Sequence, residues 1–238
     1  MLASFRKIRQ QLLVNNKFSK YILYAIGEII LVVIGILIAL SINTWSQNKA
    51  NRAEEVSYYR NIKRQLNEDK SGLEGNVRYN NLYLEQFRYA ISIIENDDRN
   101  SVDSLAATAL NLMRSSDFHR QSNIYQTLVN SGEIKLLKNQ QIIEKLQHLE
   151  ETYIYVNKLE ETHTEAIMNY AVPNIVTTIK VYDMDIKDAE SLYSFEFQNL
   201  FTLFVSHMVE KNDIYDRALE RIDGLIQSID EELESEEE

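Results

Sequence analysis

Residues 21–45, YILYAIGEIILVVIGILIALSINTW, decide the architecture of this chain. From Tyr21 to Ile42 there are 22 residues, and a hydrocarbon core of ~30 Å takes about 20 in a helix. Fourteen of the 22 are Ile, Leu or Val. At roughly −0.3 to −0.6 kcal/mol each, they outweigh the ~2.5–3.5 kcal/mol that a central acidic residue costs, so the segment inserts in spite of Glu28. Tyr21 and Tyr24 mark one end and Trp45 the other, where an interfacial aromatic belt belongs. The segment reads as one membrane-spanning helix with a carboxylate inside it.

Charge on either side orients the span. Residues 1–20 carry Arg6, Lys7, Arg9, Lys17 and Lys20 and no acid, whereas residues 46–238 carry 20 basic and 35 acidic residues, a net −15. The positive-inside rule puts the N-terminus in the cytoplasm and the large C-terminal part outside it. A cleaved signal peptide is the rival reading, with Ala39-Leu40-Ser41 as the small-residue site. The apolar run exceeds the 7–15 residues of a signal core, which favours a retained anchor. Met1, Phe5, Ile8 and Leu12 share one face of a short basic amphipathic helix, suited to an anionic inner leaflet or simply to supplying the topology charges.

Composition bounds the rest. The chain of 238 residues has no cysteine, which excludes disulfides, thiol catalysis and cysteine metal sites. An acidic exterior argues against a nucleic-acid partner. Outside the span there is one proline, Pro173, and four glycines, Gly72, Gly75, Gly132 and Gly224. Turns lean on those two residue types, so their scarcity predicts few, long helices.

The apolar spacing agrees. Leu66, Leu73, Val77, Leu84, Phe87, Ile91 and Ile94 step by seven, four, seven, three, four and three, a helical stripe that continues the span to about Asp97. Gly72 and Gly75 mark an expected bend. Asp97–Asn100 reads as a turn, Ser101 as the cap of a helix to about Arg114, and Ser122–Asn130 as a helix stopped by Ser131-Gly132. Asn139 opens a long helix to Tyr170 that Pro173 kinks or ends. Residues 181–191 look irregular, and a last helix runs from Phe195 to about Glu232. Asp230–Glu238, with seven acids in nine residues, is expected to fray. The prediction is an all-α chain: a basic segment 1–20, a transmembrane helix 21–45, an antiparallel up-down bundle over 46–229 and an acidic tail 230–238.

FRKIRQ at 5–10, NKFSKYILYAIGEIILVVIGILIAL at 16–40 and Ile42-Asn43 with Trp45 resemble the N-terminal signature of a family of single-span Gram-negative membrane proteins, helical outside the span and of unknown function. SGEIKLL at 131–137 extends the likeness more loosely. The resemblance implies an intact anchor in a bacterial inner membrane, with the C-terminal part in the periplasm. It implies no reaction and no functional residues.

Glu28 needs a reason of its own. Val32, Gly35 and Ala39 fall on its helical face, and Gly35 with Ala39 forms the small-xxx-small pair that lets membrane helices approach closely. A carboxylate there points at protein, giving a self-association or partner interface through Glu28, Val32, Gly35 and Ala39. The bland alternative is a glutamate that reaches water near the cytoplasmic interface. A bolder one is an ion-coupled subunit in which Glu28 carries a proton, on layout alone.

Enzyme chemistry finds little support. Glu160 and His163 form Glu-x-x-His, half of a di-iron bundle motif, but a complete site needs a second such pair and two more glutamates, so no metal or other cofactor is assigned. No Gly-rich phosphate loop or Gly-x-Ser-x-Gly elbow is present. Among fourteen tyrosines, Tyr58 with Tyr59, Tyr79 with Tyr83 and Tyr153 with Tyr155 invite a ligand groove, against the usual role of a ring at the bundle edge. The expectation is a non-enzymatic scaffold or accessory subunit, held to the bilayer and to itself or another membrane protein. A sensor signalling through a partner is the alternative.

Overall fold

The computed structural model describes residues 18–118 and 124–234, with side chains from 22 to 118 and from 125 to 234. Arg6, Lys7, Arg9 and Lys17, His119 and residues 235–238 lie outside the described residues, as do the side chains of Lys20 and Tyr21. The chain divides into two compact units, Met1–Glu54 and Glu55–Glu238.

Helix α1, Phe18–Glu95, supplies the described part of the first unit and begins the second. In the first unit its most apolar stretch has a mean hydropathy of 2.8, and none of that stretch is buried. The helix is long and apolar enough to cross a membrane. Trp45 stays exposed, with Lys49 Nζ 5.6 Å from its ring centroid. Gly72 and Gly75 lie within α1, which continues through both.

The second unit has four legs. Residues 55–95 of α1 form the first, ~60 Å long at 1.5 Å per residue. The second is broken into a 3-10 turn Arg99–Ser101, α2 Val102–Leu110, a 3-10 turn Asn111–Met113, an extended strap 114–118, α3 Ile124–Ser131 and a 3-10 turn Glu133–Leu136. Gly132 stops α3 at φ 76°, the left-handed value that glycine adopts without strain. The third leg is α4, Gln140–Ala166, capped by Asn139, whose side chain accepts from the Gln141 and Ile142 amides at 3.0 and 3.3 Å.

Helical structure continues past Pro173 to Thr178, so the proline does not end that leg. A π turn, Ile167–Ala171, precedes it and places the proline in the first turn of α5, Val172–Thr178, where a missing N–H costs nothing. The segment read as irregular contains a small antiparallel hairpin, β1 Ile179–Lys180 with β2 Asp185–Ile186, then α6, Ala189–Leu192, capped by Asp188. The fourth leg is α7, Phe195–Glu234. It runs past the expected fraying point because Asp230 pairs with Lys63 at 2.5 Å and Glu232 accepts from Asn139 at 2.7 Å.

Contacts along the legs give their directions. Glu55 accepts the Lys138 amide and Asp69 accepts the Tyr153 hydroxyl at 3.0 Å, so α4 runs parallel to α1. Lys63–Asp230, Lys70–Asp223 and Glu95–Gln198 make α7 antiparallel to both. The up-down alternation holds only when the broken second leg is counted as a return.

The core is two apolar clusters. One gathers Phe87, Leu105, Leu112, Ile175, Leu192, Phe201 and Phe204. The other gathers Tyr59, Ile62, Leu73, Ile142, Val156, Ile222, Leu225 and Ile229. Each large side chain buried in them contributes about 1.5–3 kcal/mol.

Candidate functional site

A layer of polar side chains separates the two clusters. Asn80 interrupts the stripe of α1 between Val77 and Leu84. Ser116 and Phe118 come from the strap, Glu160 and His163 from α4, and Lys211 and Tyr215 from α7. Asn80, His163 and Tyr215 are wholly buried, and Lys211 is 1% exposed. Buried ionisable groups survive only when paired or neutral, so their contacts define the site.

Glu160 Oε1 accepts the Phe118 amide at 2.9 Å and the Tyr215 hydroxyl. Lys211 Nζ donates to the Ser116 carbonyl at 2.9 Å and lies 3.4 Å from His163 Nδ1. Ser116 Oγ donates to Asn80 Oδ1 at 2.8 Å and lies 3.3 Å from the Tyr215 hydroxyl. Asn80 Nδ2 donates to Asn212 Oδ1 at 3.1 Å. All four legs are tied at this level.

Burial raises the Glu160 carboxyl above its ordinary range, against the Tyr215 hydroxyl and the Lys211 charge. Burial also lowers His163 to about 3, helped by Lys211 and His207. Lys211 falls to about 8 by burial, with Glu160 and Asp117 opposing. Tyr215 is raised by burial and by Glu160. His163 is therefore a neutral acceptor at Nδ1, its proton on Nε2. That Nε2 has no hydrogen-bond partner among the described residues. Its ring stacks on His207 at 5.8 Å and meets Phe204 edge-on at 5.1 Å.

Glu160 and His163 take different partners: His163 Nδ1 faces the Lys211 ammonium at 3.4 Å, and Glu160 accepts from Phe118 and Tyr215 and feels Lys211 only as a nearby charge. No group of three or more metal-ligating side chains converges among the described residues. Lys211, Tyr215, Asn80 and Ser116 escaped the sequence reading. Their signal was a lysine and an asparagine standing in apolar stripes, Lys211 between Met208 and Tyr215 and Asn80 between Val77 and Leu84. The tyrosine pairs form no groove: Tyr59 and Tyr153 are core residues and Tyr155 is 42% exposed. Tyr79 and Tyr83 pack their half-buried rings on each other at 4.7 Å, tilted by 51°.

On the apolar helix, Glu28, Val32, Gly35 and Ala39 are all exposed, and the space around Gly35 is open. At the hairpin, Val181, Tyr182 and Met184 are exposed, Tyr182 to 94%.

A sequence family described as a family of unknown function, DUF6090, matches residues 28–207. The matched range holds Glu28 and the Asn80, Ser116, Glu160 and His163 side chains of the polar layer. No curated protein and no solved structure matches the chain.

Proposed function

Because the chain belongs to the DUF6090 family, whose description assigns no activity, we propose its function from its own residues: a non-enzymatic scaffold or accessory subunit of a membrane complex. The apolar stretch of α1 anchors it in the bacterial inner membrane. Its basic N-terminus is cytoplasmic and its acidic bundle is periplasmic.

One observation carries this reading. The most apolar stretch of the chain buries none of its surface within the fold, so it needs an apolar surrounding that the bundle does not supply. Glu28 sharpens the proposal. A carboxylate in hydrocarbon costs several kcal/mol unless it meets protein, and Gly35 and Ala39 on its face permit a close helix approach. The span therefore docks a second copy or another membrane protein through Glu28, Val32, Gly35 and Ala39.

The test is in native membranes. A C-terminal reporter should be active only in the periplasm, and mild cross-linking should capture one defined assembly that Gly35→Leu disrupts. A cytosolic reporter signal overturns the orientation. A lone monomer in wild type and variant alike overturns the scaffold.

A further inference from the structure

His163 is the group in the polar layer whose charge decides whether the layer holds. Its Nδ1 accepts from Lys211 Nζ, 3.4 Å away, only while the ring is neutral. The same ammonium donates to the Ser116 carbonyl at 2.9 Å, and Glu160 accepts the Phe118 amide at 2.9 Å. Residues 114–118 belong to no helix or strand. The strap is thus fastened at Ser116 and at Phe118 by side chains of α7 and α4. A second positive charge on His163 would face Lys211 across that 3.4 Å in an interior that screens like charges poorly.

We propose that His163, Lys211 and Glu160 form an acid-operated latch on the strap 114–118. Proton uptake by His163 displaces the Lys211 ammonium from the Ser116 carbonyl and frees the strap while α1, α4 and α7 stay packed.

Every element around the histidine bears on its charge. From α4 come Glu160 and His163 itself. From α7 come His207, Lys211 and Tyr215, with Glu210 acting on His207. The strap brings Asp117, and α1 brings the neutral Asn80. Glu160 and Asp117 favour the charged form of Lys211, so the lysine is mostly an ammonium at pH 7.5 and acidification completes its charge before the histidine takes up a proton. In the closed latch His163 is held down to about 3. A released imidazole returns to its ordinary ~6.5, so the strap opens at a pH between the two.

Hydrogen exchange on the full chain in detergent, corrected for intrinsic rates, tests the latch. Between pH 7.5 and pH 5 the Phe118 amide should lose at least tenfold protection, while peptides over 84–94 and 197–204 keep theirs. His163→Gln, which can accept from Lys211 but takes up no proton, should abolish the loss, and His207→Gln should retain it. A flat wild-type profile, a loss shared by the core helices, persistence in His163→Gln or disappearance in His207→Gln overturns the proposal. Should His163→Gln not fold, the imidazole titration of His163 followed by NMR decides. Its midpoint must coincide with strap opening, and a separation of more than about one pH unit refutes the latch.

Discussion

Lys211 Nζ and His163 Nδ1 stand 3.4 Å apart in the core, and neither side chain reaches solvent. Two bases share one buried hydrogen bond, with Glu160 as the nearby acid. Such an arrangement is weak evidence of stability, since desolvation offsets most of what the charges gain from each other. It is strong evidence of order, because each buried polar group left alone is costly. The layer makes the register of four legs specific where two apolar clusters alone would tolerate sliding.

Removing one partner exposes that cost. Lys211→Met packs a similar stem but leaves the Ser116 carbonyl and His163 Nδ1 without their donor, and Glu160 without a nearby positive charge. It should lower unfolding free energy by about 1–3 kcal/mol. Adding Glu160→Gln should recover at least ~1 kcal/mol by neutralising the orphaned charge. Urea unfolding of the detergent-solubilised chain, followed by helical circular dichroism, measures both. Additive losses would mean that the two groups do not interact.

The pH dependence has a defined sign. Lys211 has a folded value of about 8 against 10.5 unfolded. A depressed folded value contributes stability that is present above 10.5 and lost as pH falls through 8. Between pH 8 and 10 the unfolding free energy of wild type should therefore rise relative to Lys211→Met, by at most ~1.4 kcal/mol per pH unit. Above 10 the raised Tyr59 and Tyr215 act oppositely, since their stability is present below the unfolded value and lost above it. A constant difference from pH 8 to 10 would remove the charged lysine from the core.

Two glycines separate two kinds of position. Gly75 lies inside α1 with only Arg78 Nη2 near it, at 3.9 Å, so Gly75→Ala should gain up to ~1 kcal/mol from helix propensity. Gly132 holds φ 76°, and Gly132→Ala should lose about 1 kcal/mol. Thermal unfolding midpoints should move in opposite directions. Equal shifts would refute the backbone argument.

Much of this fold was legible because helices announce themselves by period. The stripe from Leu66 to Ile94, the Asn139 cap and the Gly132 stop follow local rules, and each stands where those rules put it. The polar layer was not legible, because its members lie on four legs and meet only after packing. Glu160 and His163 looked like half a metal site in sequence. The residue that changes their chemistry, Lys211, comes from another helix and carries no local mark except its place in an apolar stripe. The hairpin escaped because two-residue strands leave no alternation to read.

That hairpin sets the last prediction. Loop tips usually carry Gly, Asn, Asp or Ser, yet residues 181–184 are Val-Tyr-Asp-Met, and Met184 sits at φ 54°, a conformation glycine adopts more cheaply. Tyr182 is 94% exposed, so its ring gives the bundle almost nothing. Tyr182→Ser should change unfolding free energy by less than ~0.5 kcal/mol, and Met184→Gly should raise it by about 0.5–1 kcal/mol. A surface that costs the fold something must be set against what it contacts. If the bundle meets its partner here, a photo-cross-linker replacing Tyr182 should give one discrete adduct in native membranes, and Met184→Gly should weaken that adduct while stabilising the protein. A stabilised variant with an unchanged adduct would place the partner elsewhere on the bundle.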